Sequence, residues 1–324
     1  MPTVLVTGGA GFIGSHVAER FLAEGWTVHI LDNLITGKRE NVPDGARLHE
    51  ADIRAPAAAD LIAALHPEVI VHLAAQMDVR KSVADPVFDA QTNIVGSLAL
   101  LEAVRHRSPA TRFVFSSTGG ALYGDHTVPP NVETFPKNPE SPYAIAKLSV
   151  ELYLAYYARV HGLDTVALRY GNVFGPRQDP HGEAGVVAIF CGRLLEGRPL
   201  TVFGDGLQTR DYVYVTDVAD ATWRAATQEL PAPDELDTRA FNIGTGVGTP
   251  VLRLAEVLRA AARRDVTIEY APKRPGEQQD SFIDVAKAAA LLQWRPRVGL
   301  EEGLARSYSA FAARGAPSRS TRTS

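Results

Sequence analysis

Across the first 170 residues, short β-branched runs alternate with longer stretches whose apolar residues recur every three or four positions. Thr3–Thr7, Thr27–Leu31, Arg47–Ala51, Val69–Leu73, Arg112–Ser116 and Thr165–Tyr170 read as strands, most of them apolar enough for burial on both faces. Between them the helical period predicts helices ending at about Ala23, from Pro86 to about His106, and from Pro142 to about Val160. This alternation predicts an α/β fold, a doubly wound parallel sheet that takes ligands at the carboxyl ends of its strands. Ala240–Gly244 reads as a late strand returning to that sheet.

Beyond Tyr170 the pattern changes. Gly171 to Arg210 is rich in glycine, proline and arginine, Leu200–Gly204 is strand-like, and 246–312 suggest two helical segments around a strand at Thr267–Tyr270. The expected division is a nucleotide-binding domain over 1–173 plus about 211–245, and a smaller, discontinuous substrate lobe over about 174–210 plus 246–312. Residues 313–324, rich in Ser, Thr and Arg with no apolar periodicity, are expected to be a disordered tail.

Composition narrows the function. The chain has 324 residues, 45% hydrophobic and 22% charged, with a net charge of −4. That balance gives no electrostatic case for nucleic acid or an anionic membrane. One cysteine, Cys191, excludes an intrachain disulfide and suits a reducing compartment. No apolar run approaches a membrane span, and Met1 leads straight into a strand with no signal-peptide pattern, so the expected location is the cytoplasm. The nine histidines show no metal-ligand spacing, and His16 and His72 read as structural.

The first strand opens into Gly8-Gly9-Ala10-Gly11-Phe12-Ile13-Gly14, followed by a helix. Glycines 8, 11 and 14 allow a tight turn, close backbone approach to a pyrophosphate and close helix–strand packing, with the helix N-terminus facing the phosphates. The second strand ends in Asp32, 18 positions after Gly14, where a dinucleotide site places an acid for a ribose 2′-hydroxyl. An acid there repels a 2′-phosphate, so NAD is favoured over NADP. A glycine pattern alone is often only a tight turn; strand, glycines, helix, strand and acid in order make a stronger signal.

Of the ten tyrosines, Tyr143 alone has a lysine four residues on, Lys147. Tyr143 and Lys147 then lie one helical turn apart on one face. A neighbouring ammonium favours the phenolate, pulling a tyrosine pKa down from about 10 toward working pH. Such a phenol can take a proton from a substrate hydroxyl and return it. A surface tyrosine beside a salt-bridging lysine is the plain alternative, and the cofactor motif upstream argues against it. Thr118, at the end of the fifth strand and 25 residues before Tyr143, suits a shared hydrogen bond to one substrate oxygen.

With these residues in place the chain resembles the extended short-chain dehydrogenases/reductases, and among them the UDP-glucose (UDP-hexose) 4-epimerases. The resemblance runs from residue 3 to about 310. It rests on Thr7-Gly-Gly-Ala-Gly-Phe-Ile-Gly14, Asp32-Asn33-Leu34, Asp52-Ile53, His72-Leu73-Ala74-Ala75 and the Tyr143/Lys147 pair. It continues through Arg169-Tyr170-Gly171-Asn172, Leu200–Gly204, Arg210-Asp211-Tyr212 and Arg274-Pro275-Gly276-Glu277. It implies a Rossmann fold with NAD lined by Phe12, Ile13, Asp32, Asn33, Leu34, Asp52, Ile53, Leu73, Ala74, Ala75 and Thr92. It makes Thr118 the hydroxyl partner, Tyr143 the acid/base and Lys147 the holder of the nicotinamide ribose. Asn172, Arg210 and Arg274 would grip the nucleotide diphosphate, Glu277 would meet its ribose, and Val202 and Phe203 would lie by its base. For each arginine alone a solvated surface charge is the plainer reading; the motif context promotes them.

Related dehydratases carry Asp-Glu after the catalytic threonine, and related decarboxylases a Glu, whereas Thr118 is followed here by Gly119-Gly120-Ala121-Leu122-Tyr123. Without a carboxylate, oxidation at C4 has little to do except reverse, which favours epimerisation of UDP-glucose and UDP-galactose through a transient 4-keto sugar. Gly119-Gly120 departs from the commoner epimerase pattern by adding a residue before Tyr123-Gly124, so the resemblance does not fix the loop geometry beside the sugar. A UDP-glucuronate 4-epimerase or another sugar-nucleotide epimerase of the superfamily is the alternative, and a catalytically silent NAD-binding protein the rival of another class. Ser281 stands where relatives restricted to the plain hexoses tend to carry tyrosine, which extends the expected substrates to UDP-GlcNAc and UDP-GalNAc; a solvent-facing loop serine is the competing reading. The resemblance also implies a homodimer joined by a four-helix bundle from the 86–106 and 142–160 helices. Faces such as Leu98, Leu101 and Leu152 fit that bundle or the sheet equally.

Overall fold

A computed structural model describes residues 1–180, 185–273 and 278–315. Strands β1 (Thr3–Thr7), β2 (Thr27–Asp32), β3 (Arg47–Glu50), β4 (Val69–His72), β5 (Arg112–Thr118) and β6 (Thr165–Tyr170) lie where the apolar runs predict. With β10 (Ala240–Ile243) they form one parallel sheet in the order β10-β6-β5-β4-β1-β2-β3. The chain proceeds outward from β1 through β2 and β3, then crosses to β4 and runs the other way. The order therefore reverses between β1 and β4, which opens a crevice at their carboxyl ends.

Strand periodicity explains the two-sided burial. Val4, Val6, Val28 and Ile30 face one layer, packed with Val17 and Phe21 of the helix Phe12–Ala23 and with Val218 and Ala221 of the helix Val215–Thr227. Leu5, Leu31, Ile70 and Phe113 face the other, against Ile62, Leu101, Val104, Val150 and Leu154. Each of these strand side chains is at most 1% exposed, and full burial of one such aliphatic or aromatic group is worth about 1.5–3 kcal/mol.

The second helix of the expected bundle pair, Pro142–His161, is continuous. The first is not: Pro86–Ala90 and Gly96–Arg107 are joined by one π turn, Gln91–Val95. The bulge falls where the Asn93 amide reaches across to the backbone of Gln76, at 2.8 Å from both its N and its O. Leu101 packs on the sheet and Leu98 half so, whereas Leu152 is 52% exposed.

The remaining elements flank the carboxyl edge. Around β9 (Thr209–Tyr214) gather β7 (Asn172–Phe174), β11 (Gly248–Pro250) and β13 (Asp280–Ser281), while β8 (Leu200–Phe203) pairs with β12 (Ile268–Ala271). A third cluster, with Phe190, Leu194, Leu200, Val202, Leu254 and Leu258 fully or nearly fully buried, holds these pieces to the helices Val186–Leu195, Val251–Ala262 and Leu300–Gly315. Sequence reading expects two helical segments after residue 246, and there are three among the described residues, because Ala286–Leu291 is too short to show a period. No helix among the described residues is long and apolar enough to cross a membrane.

Candidate active site

The loop after β1 is shaped by close approach. Gly8 has φ +71° and donates its N–H to Leu31 O at 2.8 Å. A Cβ on Gly14 would stand 2.2 Å from Gly8 O, so the helix can pack this tightly only on glycine. The helix begins at Phe12 with Gly11 at its N-cap, no side-chain cap and no acid in its first turn. Its unsatisfied N–H groups and dipole therefore face the crevice ready for an anion. Phe12 and Ile13 are half-buried in that first turn.

Asp32, at the end of β2, is buried and accepts from Ala10 N at 3.0 Å and Leu34 N at 2.9 Å. Asn33 donates to Asp52 Oδ2 at 3.1 Å, and hydrogen bonds from the Arg54 side chain and backbone hold the Asp52 carboxyl well below the usual range. Ile53 is buried in the second core layer, against Gly96. The ends of β1 and β4 are stitched together, Leu73 N to Thr7 O at 3.1 Å and Ala74 N to Thr7 Oγ1 at 3.2 Å, with Ala75 half-buried beside them. Thr7 Oγ1 also meets His72 Nδ1 at 2.7 Å, and His72 Nε2 meets Ser97 Oγ at 2.9 Å. Burial, and then the nearby Lys147 charge, push His72 down to about 3, so it stays neutral and structural, as expected. In the π turn and the short helix before it, Thr92 Oγ1 and Asp89 Oδ2 are buried with no hydrogen-bond partner among the described residues. A glycine cradle, an uncapped helix, a strand-end acid and an orphaned hydroxyl are what a bound dinucleotide would satisfy.

On the other side of the crevice, Ser141 caps the helix that carries Tyr143 by accepting from Ala144 N at 3.2 Å, with Pro142 at the first position. Tyr143 is half-buried and Lys147 is 3% exposed. Lys147 Nζ lies 5.7 Å from the Tyr143 ring centroid, 4.7 Å from that of Phe115, and donates to Ser116 O at 2.8 Å. Burial lowers Lys147 to about 8, opposed by the charges of Asp89 and Glu151. Thr118, two residues beyond Ser116, ends β5 in register with Tyr170.

Beneath that strand end lies a buried network that sequence reading missed. Glu151, one turn past Lys147, accepts from Ser117 Oγ and from Arg169 Nη2, the latter at 2.6 Å. Arg169 is 0% exposed. It also donates to Asp237 Oδ1 at 2.7 Å, Glu133 O at 2.9 Å and the Tyr123 hydroxyl at 3.2 Å. The available signal was the spacing of Glu151 from Lys147 and the place of Arg169 in Arg169-Tyr170-Gly171-Asn172.

The expected sugar-nucleotide residues divide. Ser281 is buried, not solvent-facing, and its hydroxyl donates to Gly120 O at 3.2 Å. Asn172 is exposed at the start of β7, and its Oδ1 lies on the same side of Gly120. Arg210 is half-buried beside Ser281 in the β9–β13 ladder and donates to Thr209 O at 2.7 Å and Gln278 O at 2.9 Å. The adjoining Asp211 accepts from Thr245 N and Oγ1, both at 2.7 Å, and Gly246 N at 3.0 Å, joining β9 to the segment after β10. Val202 is sealed in the third core cluster, and Phe203 stands half-buried after it. Arg274 and Glu277 lie outside the described residues.

Comparison with known proteins agrees with this geometry over almost the whole chain. A profile of the NAD dependent epimerase/dehydratase family matches residues 4–244. A UDP-glucose 4-epimerase of Mycolicibacterium smegmatis is 44% identical, over 95% of this chain and 97% of its own. The crystal structure of the Thermotoga maritima UDP-glucose 4-epimerase with UDP-glucose superposes with a TM-score of 0.91 at 46% identity, covering 96% of this chain and 99% of that one. That of the Thermus thermophilus UDP-glucose 4-epimerase in complex with NAD gives 0.88 at 45% identity, covering 97% and 100%.

Proposed function

This chain belongs to the NAD dependent epimerase/dehydratase family, and from that premise we propose that it is a UDP-hexose 4-epimerase interconverting UDP-glucose and UDP-galactose. The observation that carries the reading is the position of Lys147, buried between the Tyr143 helix and the end of β5 that bears Thr118, with no carboxylate in the 119–123 loop. NAD would be held by the glycine loop and first helix turn, by Asp32, and by Thr92, and when bound it supplies a hydride acceptor that gives the hydride back. Tyr143 then removes the proton of the C4 hydroxyl and later restores it, while Thr118 shares that oxygen. Lys147 supports the phenolate through its charge, and its own hydrogen bond to Ser116 O ties it to the strand that carries Thr118. Asn172 and Arg210 of the β7–β9–β13 group, together with Arg274, would hold the nucleotide diphosphate and Glu277 its ribose, with Ser281 beside the sugar as it turns over.

The same reading assigns the nucleotide-binding domain to the seven-stranded sheet and the substrate lobe to the flanking elements. It includes a homodimer. Val87 and Val95 on one helix stretch, and Ile145, Leu152, Tyr156 and Val160 on the other, are each 43–65% exposed. An apolar stripe shared by two neighbouring helices is suited to a bundle with its own copy; a monomeric mass by sedimentation equilibrium would remove that part.

The decisive assay incubates the protein with UDP-glucose and follows products and NADH together. Formation of UDP-galactose with no accumulation of free NADH is expected. Stoichiometric NADH, a stable 4-keto-6-deoxy product, or turnover confined to UDP-glucuronate would overturn the assignment.

A further inference from the structure

Asp89 is a buried carboxylate with no part in the proton transfer assigned to Tyr143. It is 1% exposed, on the short helix Pro86–Ala90, which packs with the following π turn against the helix Pro142–His161. Its two oxygens are treated differently. Oδ1 is fixed by two amide donors, Gln76 Nε2 and Asn93 Nδ2, each at 3.0 Å. The second proton of each amide is also taken, by Asp78 O at 2.9 Å and by Gln76 O at 2.8 Å. Neither amide therefore has a proton left for Oδ2, which is buried with no hydrogen-bond partner among the described residues. A carboxylate held this far from water is costly unless an opposite charge compensates it.

The opposite charge is Lys147, on the helix against which Asp89 packs. Lys147 is 3% exposed and donates to Ser116 O at 2.8 Å. The titratable groups that act on it are Asp89 from the neighbouring helix, Glu151 and Tyr143 on its own helix, and His72 from β4. His72 is neutral, and Glu151 is engaged by Arg169 Nη2 at 2.6 Å and by Ser117. Asp89 is the carboxylate of this set with an oxygen unengaged. We infer that Asp89 is the counter-ion of Lys147, a positioning residue that keeps the ammonium charged so that Tyr143 can act as a phenolate. The inference rests on the UDP-hexose 4-epimerase reading and names a residue that reading does not use. Burial brings Lys147 down to about 8, and the charge of Asp89 is the first to oppose that fall. Without Asp89 the ammonium would give up its proton nearer neutrality, and Tyr143 would stand beside an uncharged amine. Asp89 also repels a phenolate directly, and the two effects differ in sign. Acting through Lys147, loss of the carboxylate moves Tyr143 ionisation to higher pH; acting directly, it moves it to lower pH.

The test uses the full-length protein with its bound NAD and compares wild type, Asp89→Asn and Asp89→Glu. Asparagine keeps Oδ1 for Gln76 and Asn93 and removes the charge, whereas glutamate keeps the charge. Ionisation of Tyr143 is followed without substrate, as the tyrosinate absorbance that Tyr143→Phe removes from each protein, and again as the acid limb of kcat for UDP-galactose. Both should move up by about one pH unit in Asp89→Asn, which makes turnover on the acid side about tenfold lower and recoverable by raising the pH. Both should stay near wild type in Asp89→Glu. In a Lys147→Arg background, whose guanidinium stays charged at every working pH, Asp89→Asn should no longer shift the midpoint. Asp89→Ser, which leaves room for water in place of the carboxylate, repeats the test should the asparagine fail to fold. A midpoint that stays or moves down, a loss of turnover equal at every pH, or a full shift in the arginine background would make Asp89 a structural acid and overturn the inference. So would loss of bound NAD at an unchanged midpoint, which would assign Oδ2 to the cofactor. Failure to turn over any UDP-hexose, with the absorbance shift as expected, would strike the functional reading and leave the Asp89–Lys147 pair standing.

Discussion

The carboxyl ends of β1 and β5 face the same crevice but are built from different materials. At β1 the surface is almost all backbone: Gly8, Gly11 and Gly14 let main chain approach main chain, and the working groups are N–H donors at the start of a helix. At β5 the surface is side chain: Thr118 and Lys147 stand over a closed set of charges in which Glu151 and Arg169 are 2% and 0% exposed. A backbone cradle binds a charge that arrives with the ligand. A buried ionic network instead holds its own side chains in place, so that a proton can move at a defined atom. The β1 end should thus tolerate changes in surrounding charge but no added atoms, while the β5 end should tolerate small changes of shape but no lost charge.

The largest break in this comparison comes from Tyr143→Phe. The ring is kept, so packing on the helix and the β1 cradle are untouched, and only the proton carrier is removed. Turnover of UDP-galactose should fall by about 10²–10⁴-fold, while the NAD content, read by absorbance after denaturation, stays at the wild-type level. Near-normal turnover would show that another group carries the proton.

How much of each end was legible follows from the same contrast. The β1 cradle is contiguous, so its spacing of three glycines and a later acid survives in one dimension; all seven sheet strands and the Tyr143–Lys147 turn were readable for the same reason. The β5 network is assembled from positions 117, 123, 133, 151, 169 and 237, and no local pattern links Glu151 to Asp237. The strands β7, β11 and β13 have only two or three residues, too few for a period of two to register. The helix Val186–Leu195 was hidden in a stretch read for its glycine and proline. Ser281 shows what position alone cannot give. Its burial comes from the two-residue ladder with β9 and from the Gly120 carbonyl, not from the polar residues beside it in sequence.

A smaller effect should follow from Glu151→Gln, which retains shape and removes one charge beneath β5. Arg169 would lose its bidentate partner while remaining buried. Breaking a buried pair from one side costs about 3–5 kcal/mol, and the surviving Asp237 contact at 2.7 Å argues for the lower end. The denaturation midpoint should drop accordingly, with kcat falling further than KM rises, because Ser117 beside Thr118 and Arg169 must then share the one acceptor oxygen that glutamine keeps. Arg169→Lys introduced alone, which keeps the charge, should lose less kcat than Glu151→Gln. Unchanged stability in Glu151→Gln would mean that the network is dispensable and that the two ends differ less than their geometry indicates.

The smallest effect belongs to a pair outside both ends. His29 on β2 and His49 on β3 stack at 5.1 Å, with Nδ1 of one 2.8 Å from Nε2 of the other. One ring must donate and the other accept, so at most one N–H lies between them, and protonating both would place two donors face to face. Burial lowers the pKa of His29, followed by the charges of His49 and Arg47; burial and then Arg47 lower that of His49. With folded values below the unfolded value of about 6.5, the stabilisation is complete above that pH and is lost as pH falls below it. Comparing wild type with His49→Gln at pH 8 and pH 5.5 isolates this term from the carboxylates, which titrate in both proteins. The fall in Tm on acidification should be smaller in the variant by about 1–2 °C, the scale expected for less than about 1 kcal/mol in a chain of this size. An identical fall in the two proteins would mean that the histidine pair carries no linkage.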